Sequence, residues 1–112
     1  MKIMNKKARD PFDVLIFEKG LRATDLIVYP AMDLMVVVLN VGKAINLKIS
    51  DYQRLKNATV GQLNKWTLID DGIGFHWKEL DEDLSLKGFI KTASFNTTLQ
   101  NLSNKKNSLA FA

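Results

Sequence analysis

The sequence DLMVVVLNVGKAINLKI, residues 33–49, carries the strongest structural signal in the chain. Its first half, Asp33–Leu39, is a nearly continuous apolar run, which is typical of a central strand that is covered on both faces. Asn40-Val41-Gly42 predicts a hairpin turn, because glycine adopts a positive φ at low cost. In Lys43–Ile49 polar and apolar residues alternate, so one face is buried. The stretch therefore predicts an antiparallel pair in which the second strand lies nearer the sheet edge.

Further strands are predicted on both sides of this hairpin. Val14–Phe17 is apolar and predicts a short strand, and the β-branched stretch Thr24–Tyr29 predicts another. The aromatic-rich pieces Trp66–Ile69 and Gly74–Trp77 flank a turn of two aspartates and a glycine. That arrangement indicates a second hairpin.

Short helices are predicted where hydroxyl residues begin capping boxes. Ser50 and Thr59 are each followed three residues later by glutamine, so the hydroxyl accepts from an early helix amide while the glutamine reaches back. The first helix is predicted to run to about Lys56 or Asn57. Farther along, Ser85 is a good N-cap for a short helix over Leu86–Lys91.

We expect a single α+β domain in which a small antiparallel sheet packs against short helices. Residues 1–11 are predicted to be a flexible leader, residues 12–91 the domain, and residues 92–112 a polar tail. Three apolar residues of the tail follow helical spacing, so the tail is compatible with a weak helix. The predicted core comprises Leu26, Val28, Val36, Val38, Ile45, Leu47, Leu55, Leu63, Leu68, Phe75, Trp77, Leu80 and Leu84.

Composition narrows the functional classes. The chain has no cysteine, which excludes thiol nucleophiles, disulfides and thiolate metal sites. No apolar run approaches the roughly 20 residues of a membrane helix, and the basic start is not followed by a signal-peptide pattern, so we expect a cytoplasmic protein. No nucleotide-binding loop, metal-ligand set or nucleophile–base pair stands out. We therefore predict no enzyme activity, no cofactor and no metal.

The net charge of +4 leaves a nucleic-acid-binding regulator as the alternative function. Such binding requires that the dispersed basic residues meet on one face of the folded domain. The residues concerned are Lys43, Lys48, Arg54 and Lys56. Aromatic residues do not alternate with them, so the sequence offers no base-stacking platform.

His76 is the single histidine of the chain. A general base needs a group that orients its second ring nitrogen, and the carboxylates of residues 79–83 are close enough in sequence to do so. This leaves a His/carboxylate hydrolase as a further alternative. The simpler interpretation is a structural histidine that is hydrogen-bonded within a strand.

The segment Glu79–Asp83, hereafter the acidic segment, contains four carboxylates in five residues. Its spacing is not that of a calcium loop. Its last three carboxylates are expected to favour the positive end of the following helix. Beside the aromatic strand Phe75–Trp77, the segment also forms a rim that would steer a basic partner, while the adjacent apolar surface supplies the contact energy. The predicted partner-binding residues are Glu79, Asp81, Glu82, Asp83 and His76.

Three pieces of the sequence resemble the bacterial domain-of-unknown-function family 2442. Residues 36–45, VVVLNVGKAI, are similar to the strand–turn–strand that opens the family pattern. Residues 50–59, SDYQRLKNAT, are similar to the P-R-L…A-T-x-x-Q/E stretch of the family. Residues 72–85, GIGFHWKELDEDLS, resemble the family signature G-x-G-I-H-W-P-E-L-D-E-D-L-S. Asn40-Val41-Gly42 stands in place of the usual D-G turn, and Lys78 in place of the usual proline.

The resemblance implies a small α+β domain with a short antiparallel sheet against helices, and no established activity. Members often occur beside small toxin-like proteins, which implies an antitoxin-like or regulatory role by analogy. Some members carry a helix-turn-helix domain, for which residues 92–112 are too short. We therefore predict a non-enzymatic protein-binding accessory module whose partner is another protein encoded nearby.

Overall fold

The computed structural model describes the backbone of residues 10–111 and the side chains of residues 10–102. Most of the predicted leader over residues 1–11 therefore lies outside the described residues. The chain forms two three-stranded antiparallel sheets together with helices. The predicted α+β class is confirmed, with two small sheets where one was expected.

The first sheet has the order β1-β2-β3 and contains β1 (Ala23–Tyr29), β2 (Leu34–Leu39) and β3 (Ala44–Lys48). β2 is central, as its continuous apolarity predicts. Gly42 turns the β2–β3 hairpin with a φ of 76°. In β3 the side chains of Ile45 and Leu47 are buried and their neighbours are exposed, which is the pattern predicted for a strand at the edge.

The buried face of β2 differs from the prediction. Met35 and Val37 are fully buried, whereas Val36 and Val38 are half-buried and belong to the other face. Because every residue of β2 is apolar, its own sequence does not show which face points inward. The register decides it, since Val37 pairs with residues that are buried in both neighbouring strands.

The second sheet has the order β4-β5-β6 and contains β4 (Trp66–Ile69), β5 (Gly74–Trp77) and β6 (Glu82–Ser85). The β4–β5 hairpin confirms the prediction. β6 is a strand that the sequence pattern did not predict, and it takes up the end of the acidic segment. Leu68 of β4 is 39% exposed, although it was predicted in the core.

The N-terminal part of the described chain is helical. α1 (Pro11–Asp13) continues into a π-helical turn over Val14–Glu18, so the predicted strand over Val14–Phe17 is wrong. The cause lies upstream. The side chain of Asp10 accepts a hydrogen bond from the Asp13 amide at 2.9 Å, and Pro11 stands at the first helical position, which together start a helix.

The two capping-box sequences have different outcomes. Thr59 begins α2 (Val60–Leu63), and both reciprocal hydrogen bonds with Gln62 are present, as predicted. Ser50 begins no α-helix. Its amide and hydroxyl donate to the carboxylate of Asp33 at 2.8 and 2.5 Å, and a single 3₁₀ turn occupies this position. The competing carboxylate removes the hydroxyl that the cap requires.

α3 (Leu86–Phe111) is much longer than the short helix predicted over Leu86–Lys91. The hydroxyl of Ser85 accepts from the Gly88 amide at 3.0 Å, which confirms the predicted N-cap. Beyond residue 91 the tail contains neither glycine nor proline, so the helix continues through it. α3 packs along the edge strand β3. No helix among residues 10–111 is both long and apolar enough to span a membrane.

Both sheets and α3 contribute to one hydrophobic core. Phe75 lies near its centre, with its ring centroid 5.1 Å from that of Trp66 and 6.0 Å from that of Phe89 in α3. The Ala23 amide of β1 donates to the Gly72 carbonyl at 2.8 Å, which joins the first sheet to the β4–β5 turn. The two sheets are therefore held together by backbone hydrogen bonding as well as by apolar packing.

Candidate functional site

The acidic segment forms the turn between β5 and β6 and the start of β6. Its carboxylates face basic side chains of the same chain. An oxygen of Glu79 lies 2.9 Å from Nζ of Lys65, and an oxygen of Asp81 lies 3.7 Å from Nη1 of Arg54. All four side chains are at least 45% exposed, so each pair contributes at most about 1 kcal/mol to stability. The pairs nevertheless reduce the charge that the segment presents to a partner.

Arg54 also holds the backbone of this turn. Its Nη1 donates to the carbonyl oxygens of Leu80 at 3.4 Å and Asp81 at 3.1 Å. Asp81 has a left-handed backbone conformation, with a φ of 50°. Arg54 is therefore a positioning residue for the acidic segment, and its charge is engaged there.

His76 lies in β5 between Thr67 of β4 and Asp83 of β6. Its Nδ1 contacts the Asp83 carboxylate, and the two side chains are 42% and 67% exposed. The structure therefore brings these two predicted site residues together. With Thr67 they form a row of hydroxyl, imidazole and carboxylate, the residue types of a nucleophile, its base and an orienting acid. In the described part of the chain, no hydrogen bond joins Thr67 to His76.

The aromatic side chains beside the acidic segment lie on the face of β5 opposite to His76. Phe75 and Trp77 are 0% and 1% exposed, and the indole N–H of Trp77 donates to the Leu63 carbonyl at 3.0 Å. Both residues belong to the core, as the sequence predicted. The idea that this aromatic strand supplies an apolar surface next to the acidic rim is therefore wrong.

An apolar groove of about 630 Å³ lies between the π-helical turn, the β2–β3 hairpin and α3. Its volume lies within the range of about 300–1,000 Å³ that is typical of binding sites. Sequence reasoning missed the groove, because its residues come from three separate stretches. The one local signal is Val41, an apolar residue that is 57% exposed in a hairpin turn. The apolar lining residues are Leu15, Leu21, Leu39, Val41, Ala44, Ile45, Ile90 and Ala93.

Three of the four basic residues proposed for nucleic-acid binding, Lys43, Lys48 and Arg54, lie in different places. Lys43 lines the apolar groove together with Lys19. Lys48, at the far end of β3, pairs in register with Leu34 of β2, and Arg54 contacts the acidic segment. Among the described residues, no group of three or more His, Asp or Glu side chains is arranged to hold a metal ion.

Solved structures with a similar fold come from proteins of unknown function. A protein from Rhodospirillum rubrum is 29% identical, with a TM-score of 0.58, over 65% of this chain and 88% of that chain. An uncharacterized protein from Chromobacterium violaceum is 22% identical, with a TM-score of 0.60, over 77% and 78% of the two chains. At 22% identity, the similarity to the second protein shows the fold alone. No curated protein matches the sequence.

A family profile described as "Protein of unknown function (DUF2442)" matches residues 26–94, which is more than half of the chain. The match begins in β1, includes β2 to β6, and ends in the first part of α3. The resemblance found in the sequence is thereby confirmed, and the chain belongs to the DUF2442 family.

Proposed function

We propose that this protein is a non-enzymatic protein-binding module and that the apolar groove is its binding surface. The observation that carries the proposal is the exposure of apolar side chains at the groove, with Leu15 at 40% and Val41 at 57%. Soluble monomeric proteins seldom leave a contiguous apolar surface open unless something binds there. Burial of these side chains would supply the contact energy.

The acidic segment is the second surface to be tested. Its carboxylates have basic partners within the chain, and the aromatic residues beside it are buried. Contact energy at this place would have to come from the charges alone, which contribute little when exposed. Partner binding through Glu79, Asp81, Glu82, Asp83 and His76 stays a prediction.

The antitoxin-like role that the family resemblance implies is one specific form of this proposal. It requires that the bound protein be a small protein encoded beside this one. The test is co-expression of the tagged full-length chain with each protein that is encoded alongside it. Retention through affinity purification and gel filtration is the measurement.

Two matched threonines of α3 provide the variants. Thr97 is exposed and lines the groove, whereas the adjacent Thr98 is exposed and does not line it. We expect wild type and Thr98→Trp to retain the partner and Thr97→Trp to lose it, because the indole fills the groove. If Thr97→Trp retains the partner and the double variant E79Q/E82Q loses it, the binding surface is the acidic segment and not the groove. Retention of no partner by the wild type contradicts the proposal.

A second candidate function is supported by the row of Thr67, His76 and Asp83 on the second sheet. A hydrolase of this kind would use His76 as the base. We place it second because both side chains of the His76–Asp83 pair are exposed, whereas such chemistry depends on a site that excludes water. Ester hydrolysis by the wild type that both His76→Gln and Thr67→Val abolish would favour this candidate over the first.

A further inference from the structure

We propose that the groove accepts an amphipathic helix of a partner protein, with acidic residues flanking its apolar face. This inference rests on the proposed function and names the chemistry of the partner. It follows from three properties of the groove, namely its charge, its shape and its mismatch with a second copy of this chain.

The charge around the groove is positive. Lys19 and Lys43 line it, and within the described part of the chain none of its lining residues is acidic. The helix that forms one wall, Leu86–Phe111, has no aspartate or glutamate in its sequence. Its Lys87 is paired with Asp10 and Asp13, so the positive charge at the groove comes from Lys19 and Lys43. Glu18, which precedes Lys19, is not among the lining residues. A partner with carboxylates at the rim is therefore attracted, and one with lysines is repelled.

The shape of the groove suits a helix. The α3 wall is built from Ile90, Ala93, Ser94 and Thr97, which lie on one face over two turns, a length of about 10 Å. The side chains in the middle of this wall are small, so a second helix can approach to the usual axial distance of about 8–10 Å. The apolar residues of the hairpin and of the π-helical turn then receive side chains spaced at i, i+3 and i+7.

A second copy of this chain does not have the required chemistry. The exposed apolar stripe of α3 consists of Phe95, Leu99 and Leu102, at 63%, 49% and 59% exposure. Because α3 has no carboxylates, this stripe would bring no acidic partner to Lys19 and Lys43 of the groove. The acidic segment of a second copy is a turn and a strand, so it offers no helix.

The experiment uses two fluorescein-labelled synthetic peptides with leucine at the same helical positions. One has glutamate and the other lysine at every flanking position. Fluorescence anisotropy with the full-length protein measures both affinities. We expect the glutamate peptide to bind at least about tenfold more tightly, with a difference that shrinks as salt is raised. The double variant K19E/K43E is expected to reverse the preference.

Steric variants locate the binding. Thr97→Trp and Val41→Asp are expected to weaken binding of the glutamate peptide about tenfold, while Thr98→Trp leaves it unchanged. Circular dichroism and thermal unfolding verify that each variant is folded. Equal affinity for both peptides, no binding of either, or insensitivity to K19E/K43E overturns the inference. Concentration-dependent dimerisation that Thr97→Trp abolishes identifies a second copy as the occupant and also overturns it.

Failure of this inference is distinguishable from failure of the proposed function. If Thr97→Trp abolishes co-purification of a protein but the peptides show no charge preference, the protein-binding module stands and the acidic helix is wrong. If no partner co-purifies and neither peptide binds, both proposals are wrong.

Discussion

Gly72 lies where the β4–β5 turn closely approaches Ala23 of the first sheet, and its replacement by alanine tests how the two sheets are joined. Its φ is 112°, and a Cβ at this position would lie 2.1 Å from the carbonyl oxygen of Ala23. The same two residues share the hydrogen bond from the Ala23 amide to the Gly72 carbonyl at 2.8 Å. The clashing atoms belong to backbone, so no flexible side chain can move aside. The new methyl group must either break this bond or push the sheets apart.

The magnitude follows from two contributions. Holding a residue other than glycine in a sparsely populated backbone region costs roughly 1–3 kcal/mol. Leaving a buried backbone group without its partner costs roughly another 1–3 kcal/mol, and Ala23 is 1% exposed. We therefore expect Gly72→Ala to lower the free energy of unfolding by roughly 2–6 kcal/mol. This is a large part of the roughly 5–15 kcal/mol that stabilises a typical domain.

Urea denaturation followed by tryptophan fluorescence measures this loss, because Trp66 and Trp77 both lie in the second sheet. Gly42→Ala is the matched control. Gly42 also has a positive φ, of 76°, but no heavy atom of the residues that the structure describes lies within 4 Å of the position that a Cβ would take there. We expect the control to lose only the conformational cost of roughly 1–2 kcal/mol. Equal losses for the two variants would refute the reasoning about close approach.

Other contacts give predictions that single substitutions test. Trp77→Phe removes the indole hydrogen bond at 3.0 Å and leaves a cavity, so urea denaturation should show a loss of about 2–3 kcal/mol; a loss below about 1 kcal/mol contradicts this. Ser50→Ala should raise the pKa of Asp33, which hydrogen bonds from the Ser50 hydroxyl and amide hold below its ordinary value, and an unchanged NMR titration would disprove that cause. A hydrogen bond from the Asp13 amide lowers the pKa of Asp10, and Lys87 lowers it further. Asp10 therefore stabilises the fold above its unfolded pKa of about 3.9, and this stabilisation is lost as pH falls through the folded value. Lys87→Met should therefore reduce stability at neutral pH and flatten its decline in acid, as denaturation curves across that pH range would show; an identical decline in both proteins argues against the pair.

The turn at Gly42 and the cap at Thr59 show where local chemistry is sufficient for prediction. The turn needs a residue that tolerates a positive φ, and the cap needs a hydroxyl and a glutamine three residues apart. At the cap the interacting groups lie within three residues of one another, and at Gly42 the requirement is the backbone conformation of the glycine itself. The pattern in the sequence is therefore also the structure.

Ser50 and Val14–Phe17 show where local chemistry fails. Ser50 has the same capping pattern as Thr59, but Asp33, 17 residues away, takes its hydroxyl. Val14–Phe17 has the composition of a strand, but the helix that begins at Asp10 and Pro11 extends through it. In both cases a residue outside the short stretch that carries the pattern decides the local structure.

The candidate sites also combine features that the sequence predicts with features that only the folded chain shows. His76 and Asp83 were recognised as chemistry-bearing residues from sequence, but their contact depends on the pairing of β5 with β6. The α+β class, both hairpins and the family resemblance follow from composition, periodicity and motifs. The buried face of β2, the union of two sheets in one core and the groove beside α3 required the folded chain. The physical reason is range: backbone preferences and side-chain caps act between neighbours, whereas burial depends on segments that are far apart in sequence.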